Sequence, residues 1–300
     1  MPEALAIELE HDARLATWFG VGGRADRLAR PSSVERLRQC VELDSDLRVL
    51  GDGANLLVAD GGVRELVVSL ESMNAVDIAA DGVVRAQAGA NLMRLVQDTA
   101  RAGLLGLHTL AGVPASVGGA VAMNAGGAHG STFDHLVELT TIDRLGEIRT
   151  QRASEFEPTY RNGGLEGRIV IEATFQLSPA EPSDVRERVK HIMLEKKHSQ
   201  PLAADCAGCV FKNPSLTHHV EGIGKQGQRV SAGLLIDRAG CKGLRIGGAS
   251  VSDRHANFVV VDKDVATARD ILELIAEVRA RVRERFGVEL ATEVAVWGDA

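Results

Sequence analysis

Several stretches of this sequence have residue types and spacings suited to chemistry. Residues 111–127 read AGVPASVGGAVAMNAGG, with Gly112, Gly118, Gly119, Gly126 and Gly127 among small side chains and no charge. Glycine lets main chain approach a ligand closely. Consecutive backbone N–H groups in such a loop hold an anion such as a pyrophosphate without a basic side chain. A buried turn beside a core strand explains the stretch alone equally well. Cys206-Ala207-Gly208-Cys209 is a C-x-x-C, the pattern of a redox pair or half a zinc site. Zinc needs two further ligands at suitable spacing; His218 and His219 are adjacent to each other and no second C-x-x-C exists. The two thiols therefore read as unrelated, with Cys209 the one of interest. Arg161 follows the single tyrosine, Tyr160. With Lys196, Lys197 and Lys212 it is a basic group beside small or glycine-rich loops, where solvated surface charge is the default. Glu293 sits in the apolar run LATEVAVW, and a carboxylate there is costly unless paired or functional. Residues 222–227 match G-x-G-x-x-G, but a dinucleotide fingerprint follows a strand and PSLTHHVE is none, so this is a polar loop.

Composition narrows the partners. The chain has 300 residues, 45% hydrophobic and 25% charged, with a net charge of −7. That length suits two domains on a prior of about 100–200 residues each. The acidic balance argues against nucleic acid and anionic membrane as main partners, while a local anion site remains open. No apolar run reaches the ~18 residues of a membrane helix. The acidic start MPEALAIELEHD does not read as a signal peptide. Four cysteines in 300 residues do not make a disulfide framework, which favours a reduced, cytoplasmic protein.

The elements that would position these residues are legible as periodicities. Helices are expected over 32–43, with a Ser32/Glu35 capping box, and over 91–102, 183–197, 231–239 and 267–286, the last stopped by Gly287. Strands are expected on either side of the glycine turn 51–55, at 66–70, and as a hairpin over 75–89 turning at Asp81-Gly82. Two more flank Leu145-Gly146, and 168–177 is an alternating strand. Two strands fall in 244–262, and a last one closes the chain over 288–297. Pro179 and Pro182 mark a boundary. Composition and spacing thus reach a glycine-cradled anionic cofactor and a second α/β domain with convergent polar groups, without a reaction.

The motifs TWFGVGGRAD, LGDGANLLVADGG, LAGVPASVGGAVAMNAG, Tyr160-Arg161, GCVFKNP, SAGLLIDRAGCKG, GGASVSDRHANFVV and FGVELATEVAVWG occur in order from Thr17 to Gly298. In this the sequence resembles the UDP-N-acetylenolpyruvoylglucosamine reductase family, in its shorter type without an extra tyrosine-bearing loop. The resemblance implies an α+β fold, with a two-lobed FAD-binding domain of the vanillyl-alcohol-oxidase (PCMH) type and an α/β substrate-binding domain. The implied limits are 1–75 and 76–180 for the two lobes and 181–300 for the substrate domain, whose last strand returns towards the first lobe. Non-covalent FAD would be held by Gly51, Asp52, Gly53, Ala54, Asn55 and Leu56 together with Ala111, Gly112, Val113, Pro114, Ser116, Gly118, Gly119, Asn124 and Gly126, with Ile169 near the isoalloxazine ring.

The implied reaction belongs to peptidoglycan precursor synthesis, and so to cell-wall biogenesis, cell shape and division. NADPH reduces FAD, and hydride then passes from N5 to the enolpyruvyl methylene carbon of UDP-N-acetylglucosamine enolpyruvate, giving UDP-N-acetylmuramate. By motif position Arg161 would stabilise the carboxylate and the developing enolate, and Glu293 would orient that group or the proton donor. The donor is the residue before Val-Phe-Lys-Asn-Pro. Most members have serine there, whereas this sequence has Cys209, whose thiol, at a reference pKa of about 8.5, donates a proton more readily than a hydroxyl. Tyr160, Lys197, Lys212 and Asn213 would contact substrate, Lys197 at a UDP phosphate. No metal is implied, and a monomer without membrane or nucleic-acid partners is expected. Two alternatives stand beside this reading. One is another FAD-dependent oxidoreductase of the same fold acting on a hydroxy acid or sugar lactone; the other is a non-catalytic flavin-binding module.

Overall fold

Helices in this chain begin where a side chain can satisfy the first free amides. The structure, a computed structural model, describes residues 7–201 and 204–299. Six α-helices are present among them: α1 (Val34–Leu43), α2 (Leu92–Arg101), α3 (Val117–Ala122), α4 (Pro182–Ser199), α5 (Ala232–Arg238) and α6 (Ala268–Phe286). Ser33, Asn91, Ser116, Ser231 and Thr267 each accept a hydrogen bond from the amide three residues on, at the starts of α1, α2, α3, α5 and α6. The cap of α1 is Ser33, one residue later than the sequence suggests. Two adjacent serines offer the same chemistry, and the buried stripe Leu37, Cys40 and Val41 sets the phase. Thr267 and Asp270 cap α6 reciprocally, and Gly287 ends it at φ 64°, a conformation that costs other residues about 1 kcal/mol or more.

The chain forms two compact units. One comprises Met1–Ala13, Ala25–Asp52 and Arg64–Lys196; the other comprises Arg14–Arg24, Gly53–Val63 and Lys197–Ala300. The first holds a four-stranded sheet in the order Leu9–Ala13, Ala25–Ala29, Val63–Ser69, Arg48–Leu50. It also holds a five-stranded sheet in the order Ile148–Arg152, Leu136–Ile142, Ile169–Gln176, Val83–Gln87, Val76–Ile78. Each pair in the five-stranded sheet is antiparallel, as expected from the hairpins at 81–82 and 145–146. Its central strand Ile169–Gln176 buries Ile169, Val170, Ile171, Ala173 and Phe175 in one core with Leu92, Leu95 and Val96 of α2. The second unit pairs Arg245–Ile246, Ala249–Val251 and Val259–Val261 into a small antiparallel sheet. Ile271, Leu274, Ile275, Val278 and Val282 of α6 pack in the core of this unit.

These units cut the chain differently from the sequence-based limits at 75 and 180. Helix α4 up to Lys196 goes with the first unit, because Ile192 lies in its core and Val189 and Met193 pack against it. Residues 53–63 go with the second, because Leu56–Val58 pairs in parallel with Ala295–Trp297 and Leu57 lies in that core. The closing strand is three residues long rather than spanning 288–297. Replacing Ser33 by Ala should lower unfolding free energy by about 1 kcal/mol, whereas Ser32→Ala at the exposed neighbour should change it by no more than about 0.5 kcal/mol. Denaturant midpoints of the two variants decide which serine is the cap.

Candidate active site

In the first unit the site is built around α3, inside the glycine-rich stretch. The sequence reads as a loop there because Gly118 and Gly119 each cost a helix about 1 kcal/mol relative to Ala. Burial of Val117, Ala120 and Val121 offsets that cost. The first amides of α3 are already used: Val117 donates to Ala90 O at 2.8 Å, Gly118 to Ala88 O at 2.8 Å, and Gly119 to Ser116 Oγ at 3.2 Å. The expected nest of consecutive free amides is therefore not what residues 117–119 form. What this unit offers an anionic cofactor is close, uncharged main chain. A Cβ on Gly51 would lie 2.7 Å from Ser116 Oγ and 3.9 Å from Gly119 Cα, so the two glycine stretches meet at Gly51 and Ser116. Ala111 is buried, and Gly112, Val113, Pro114, Gly118, Gly119 and Gly126 are partly exposed. The absence of a carboxylate among Ala111–Gly127 and the partial exposure of its main chain suit a pyrophosphate-bearing cofactor. Asp52, beside Gly51, is exposed. Ile169 faces inward, with its side chain in the core.

The Tyr160-Arg161 motif is the tip of a tight turn. Thr159 N donates to Asn162 O at 2.8 Å and Asn162 N to Thr159 O at 3.1 Å. Arg161 takes φ 61° and Asn124 φ 39°, left-handed values that cost a non-glycine residue about 1–3 kcal/mol. Both are tied down. Asn124 Nδ2 donates to Thr159 O at 3.2 Å, and Arg161 Nη1 donates to Gly126 O at 2.9 Å. A hydrogen bond from a charged group contributes about 1.5–3 kcal/mol, enough to offset the strain at Arg161. The guanidinium also lies over the Tyr160 ring, 5.1 Å from its centroid. Gly163 anchors the turn to α3: its amide donates to Ala122 O at 2.9 Å, and a Cβ there would stand 2.2 Å from Val121 O.

In the second unit Cys209 and Glu293 are brought together through the backbone. Val210, which follows Cys209, accepts from Glu293 N at 2.7 Å. Phe211 bridges Thr292, and Lys212 N donates to Ala291 O at 2.9 Å. Asn55 joins them, its Nδ2 donating to Glu293 O at 3.0 Å and its carbonyl accepting from Ala295 N at 3.0 Å. Ala54 O lies 4.0 Å from where a Cβ on Gly208 would be. Gly53 and Leu56 are buried. Asn213 Oδ1 accepts from Ala232 N at the start of α5, at 2.9 Å. Cys209, Lys212 and Glu293 are partly exposed, whereas Lys197 is exposed.

Two residues stand out that sequence reasoning left without a role. Asn257 is buried and clamps Phe211: Oδ1 accepts from Phe211 N at 2.9 Å and Nδ2 donates to Phe211 O at 2.8 Å, while its own carbonyl takes Val210 N at 2.9 Å. The only signal was an asparagine ahead of an apolar run. Lys196, a basic group beside the expected Lys197, reaches the glycine-rich stretch: its Nζ donates to Ala111 O at 2.6 Å.

Comparison with known proteins places the chain. Residues 25–151 match the FAD binding domain, and residues 200–297 match the C-terminal domain of UDP-N-acetylenolpyruvoylglucosamine reductase. A UDP-N-acetylenolpyruvoylglucosamine reductase of Moorella thermoacetica is 40% identical over 292 residues, covering 96% of this chain and 91% of that protein. One from Clostridium beijerinckii is 35% identical over 300 residues, covering 97% and 94%. The crystal structure of UDP-N-acetylenolpyruvylglucosamine reductase from Thermus caldophilus matches with a TM-score of 0.82 at 37% identity, covering 98% of this chain and 100% of that one. An α+β chain with an FAD-binding domain ahead of this C-terminal domain is a flavin-containing oxidoreductase. The chain belongs to the UDP-N-acetylenolpyruvoylglucosamine reductase family.

Removing the Asn257 amide with Asn257→Ala strands a buried donor and a buried acceptor of Phe211. Each such group costs about 1–3 kcal/mol, so unfolding free energy from denaturant titration should fall by about 2–5 kcal/mol.

Proposed function

We propose that this protein reduces UDP-N-acetylglucosamine enolpyruvate to UDP-N-acetylmuramate in peptidoglycan precursor synthesis, with non-covalent FAD as cofactor and NADPH as co-substrate. The observation that carries this reading within the site is the pairing of Val210 with Glu293, which sets a thiol and a carboxylate on neighbouring backbone segments at positions where the family has its proton-donating centre. The enzyme works in the cytoplasm as a monomer, without nucleic-acid or membrane partners. No helix among the described residues is long and apolar enough to cross a membrane.

Bound FAD supplies two-electron hydride transfer between NADPH and the methylene carbon of the enolpyruvyl group. The chain's own residues handle charge and the proton. Arg161 binds the substrate carboxylate and stabilises the negative charge that spreads onto it as the double bond is reduced. Its position is fixed beforehand by the turn at 159–162 and the bond to Gly126 O, so little reorganisation is needed. Cys209 holds a proton on Sγ and gives it to the carbon bearing the carboxylate; the thiolate is then reprotonated from water. Glu293 orients the thiol. A thiol's ordinary pKa of about 8.5 lies near working pH, which suits a general acid. Gly51 to Leu56, with Ala111 to Asn124 and Gly126, would hold the cofactor, and the strand that begins at Ile169 would lie near its ring. Tyr160, Lys197, Lys212 and Asn213 bind the UDP-sugar.

The purified protein should be yellow and should turn over NADPH beyond one equivalent per flavin only when the enolpyruvyl UDP-sugar is present; a colourless protein after flavin reconstitution would sink the reading. Cys209→Ala should lower substrate reduction by about 10²–10⁴-fold, the usual worth of a general acid, with Cys209→Ser retaining part of it. Full turnover by the alanine variant would remove Cys209 from the proton step. Lys197→Glu should raise KM for the UDP-sugar with kcat little changed, and an unchanged KM would take Lys197 out of the site.

A further inference from the structure

We infer that Lys196 is a positioning residue of the cofactor site, its ammonium clamping the Ala111 carbonyl and so fixing the start of the glycine-rich segment. The inference rests on the proposed FAD reading. Lys196 lies in the last turns of α4, and its Nζ donates to Ala111 O at 2.6 Å. The next residue, Gly112, has φ 73°, and a Cβ there would stand 2.8 Å from Lys196 Cδ and 3.0 Å from Met193 Sδ. The lysine stem and Met193 therefore pack directly on the turn whose carbonyl the ammonium holds. At the other end of the segment Arg161 does the same to Gly126 O, at 2.9 Å. Two cations thus hold the two ends of an uncharged stretch, one from a helix and one from a strained turn.

The electrostatic setting is unusual for a lysine. Among the described residues no carboxylate pairs with it. Its helix neighbour Glu195 turns instead to His129 at 2.8 Å and His191 at 3.2 Å. Arg161 is the charged group that bears on Lys196. Burial, followed by repulsion from Arg161, pushes its pKa down from 10.5 to about 8. The ion–carbonyl clamp is therefore half lost at about pH 8, being stronger below it and weaker above. Folding stability moves the opposite way. Between about pH 8 and 10.5 the unfolded chain binds the proton that the folded chain has lost, so this lysine's contribution to stability rises with pH across that window. Cofactor affinity and apoprotein stability are thus predicted to diverge over the same titration, which a purely structural lysine would not produce.

The test is the FAD dissociation constant, read from quenching of flavin fluorescence between pH 6.5 and 9.5, for wild type, Lys196→Met and Lys196→Arg. Loss of a charged hydrogen bond corresponds to roughly a tenfold effect or more. Wild-type affinity should fall about tenfold as pH rises through 8. Lys196→Met should be about tenfold weaker at pH 7 and flat across the range. Lys196→Arg should stay within about threefold of wild type at pH 7 and also be flat, because arginine does not titrate there. Wild-type affinity and pH dependence in Lys196→Met would overturn the inference. If that variant does not fold, Lys196→Gln takes its place, and wild-type FAD affinity in it at pH 7 overturns the inference equally. A wild-type protein that binds no FAD at any pH would defeat the flavin reading itself, a result distinct from normal binding by the variants.

Discussion

Close approach of main chain to main chain around α3 is the constraint on which the first unit's site depends. The amides of Val117 and Gly118 reach the carbonyls of Ala90 and Ala88, each at 2.8 Å. On the far end Gly163 comes so near Val121 O that no side chain fits between them. The helix has six residues, too few to stand alone, since isolated helices shorter than about 12–15 residues are marginal in water. It exists because the neighbouring main chain satisfies its ends and the core takes Val117, Ala120 and Val121. The placement of Arg161 follows from this. The turn that carries it is fastened to α3 through Gly163 and to Asn124 through Thr159, so a shift of α3 would carry the guanidinium with it.

The second unit solves its positioning problem with hydrogen bonds. Cys209 and Glu293 are 84 residues apart in sequence, yet the segments that carry them form a short antiparallel ladder from Val210 to Lys212. Asn257 pairs one side of this ladder and Asn55 the other. Side-chain amides suit the task because each carries both a donor and an acceptor and can stand in for a missing strand. A carboxylate or lysine in the place of Asn257 would satisfy only half of Phe211 and would bring a charge into the interior, at several times the cost of an unpaired neutral group.

Much of this was readable beforehand, and the gaps have physical causes. Amphipathic stripes in α2 and α6, turn chemistry at Asp81-Gly82 and the αL stop at Gly287 are local signals, and the structure follows them. Helix α3 escaped because its glycines oppose helix formation and only tertiary burial overrides them. The placement of 182–196 with the first unit escaped because two prolines look like a boundary, whereas Ile192, Val189 and Met193 decide where the helix packs. The amides of Val117 and Gly118 are not free for an anion for a related reason: a loop's amides are available only if no neighbouring carbonyl claims them, and here Ala90 and Ala88 do. Lys196 and Lys197 are adjacent, and nothing in their sequence says which one turns inward. Asn257 carries no motif at all, because its partner is the backbone of Phe211, and backbone has no signature.

The four thiols show how one fold sets the same functional group to different uses. Cys40, Cys206 and Cys241 are buried, while Cys209 is partly exposed. Burial pushes the Cys40 thiol up to about 11 and raises Cys206 and Cys241 as well. A thiol so raised stays protonated at neutral pH and reacts slowly, because the thiolate is the nucleophile. For Cys206 the donation from Gly208 N–H pulls the other way but does not overcome desolvation. A working C-x-x-C redox pair needs one thiol with lowered pKa, and at Cys206 the interior works in the opposite direction. The C-x-x-C, whose thiols the sequence reads as unrelated, comprises one buried cysteine and one partly exposed cysteine three residues apart. That separation matters for a proton donor. On the proposed reading, in which Cys209 gives a proton, an acidic partner thiol would invite oxidation of Cys209, whereas burial holds the Cys206 thiol protonated.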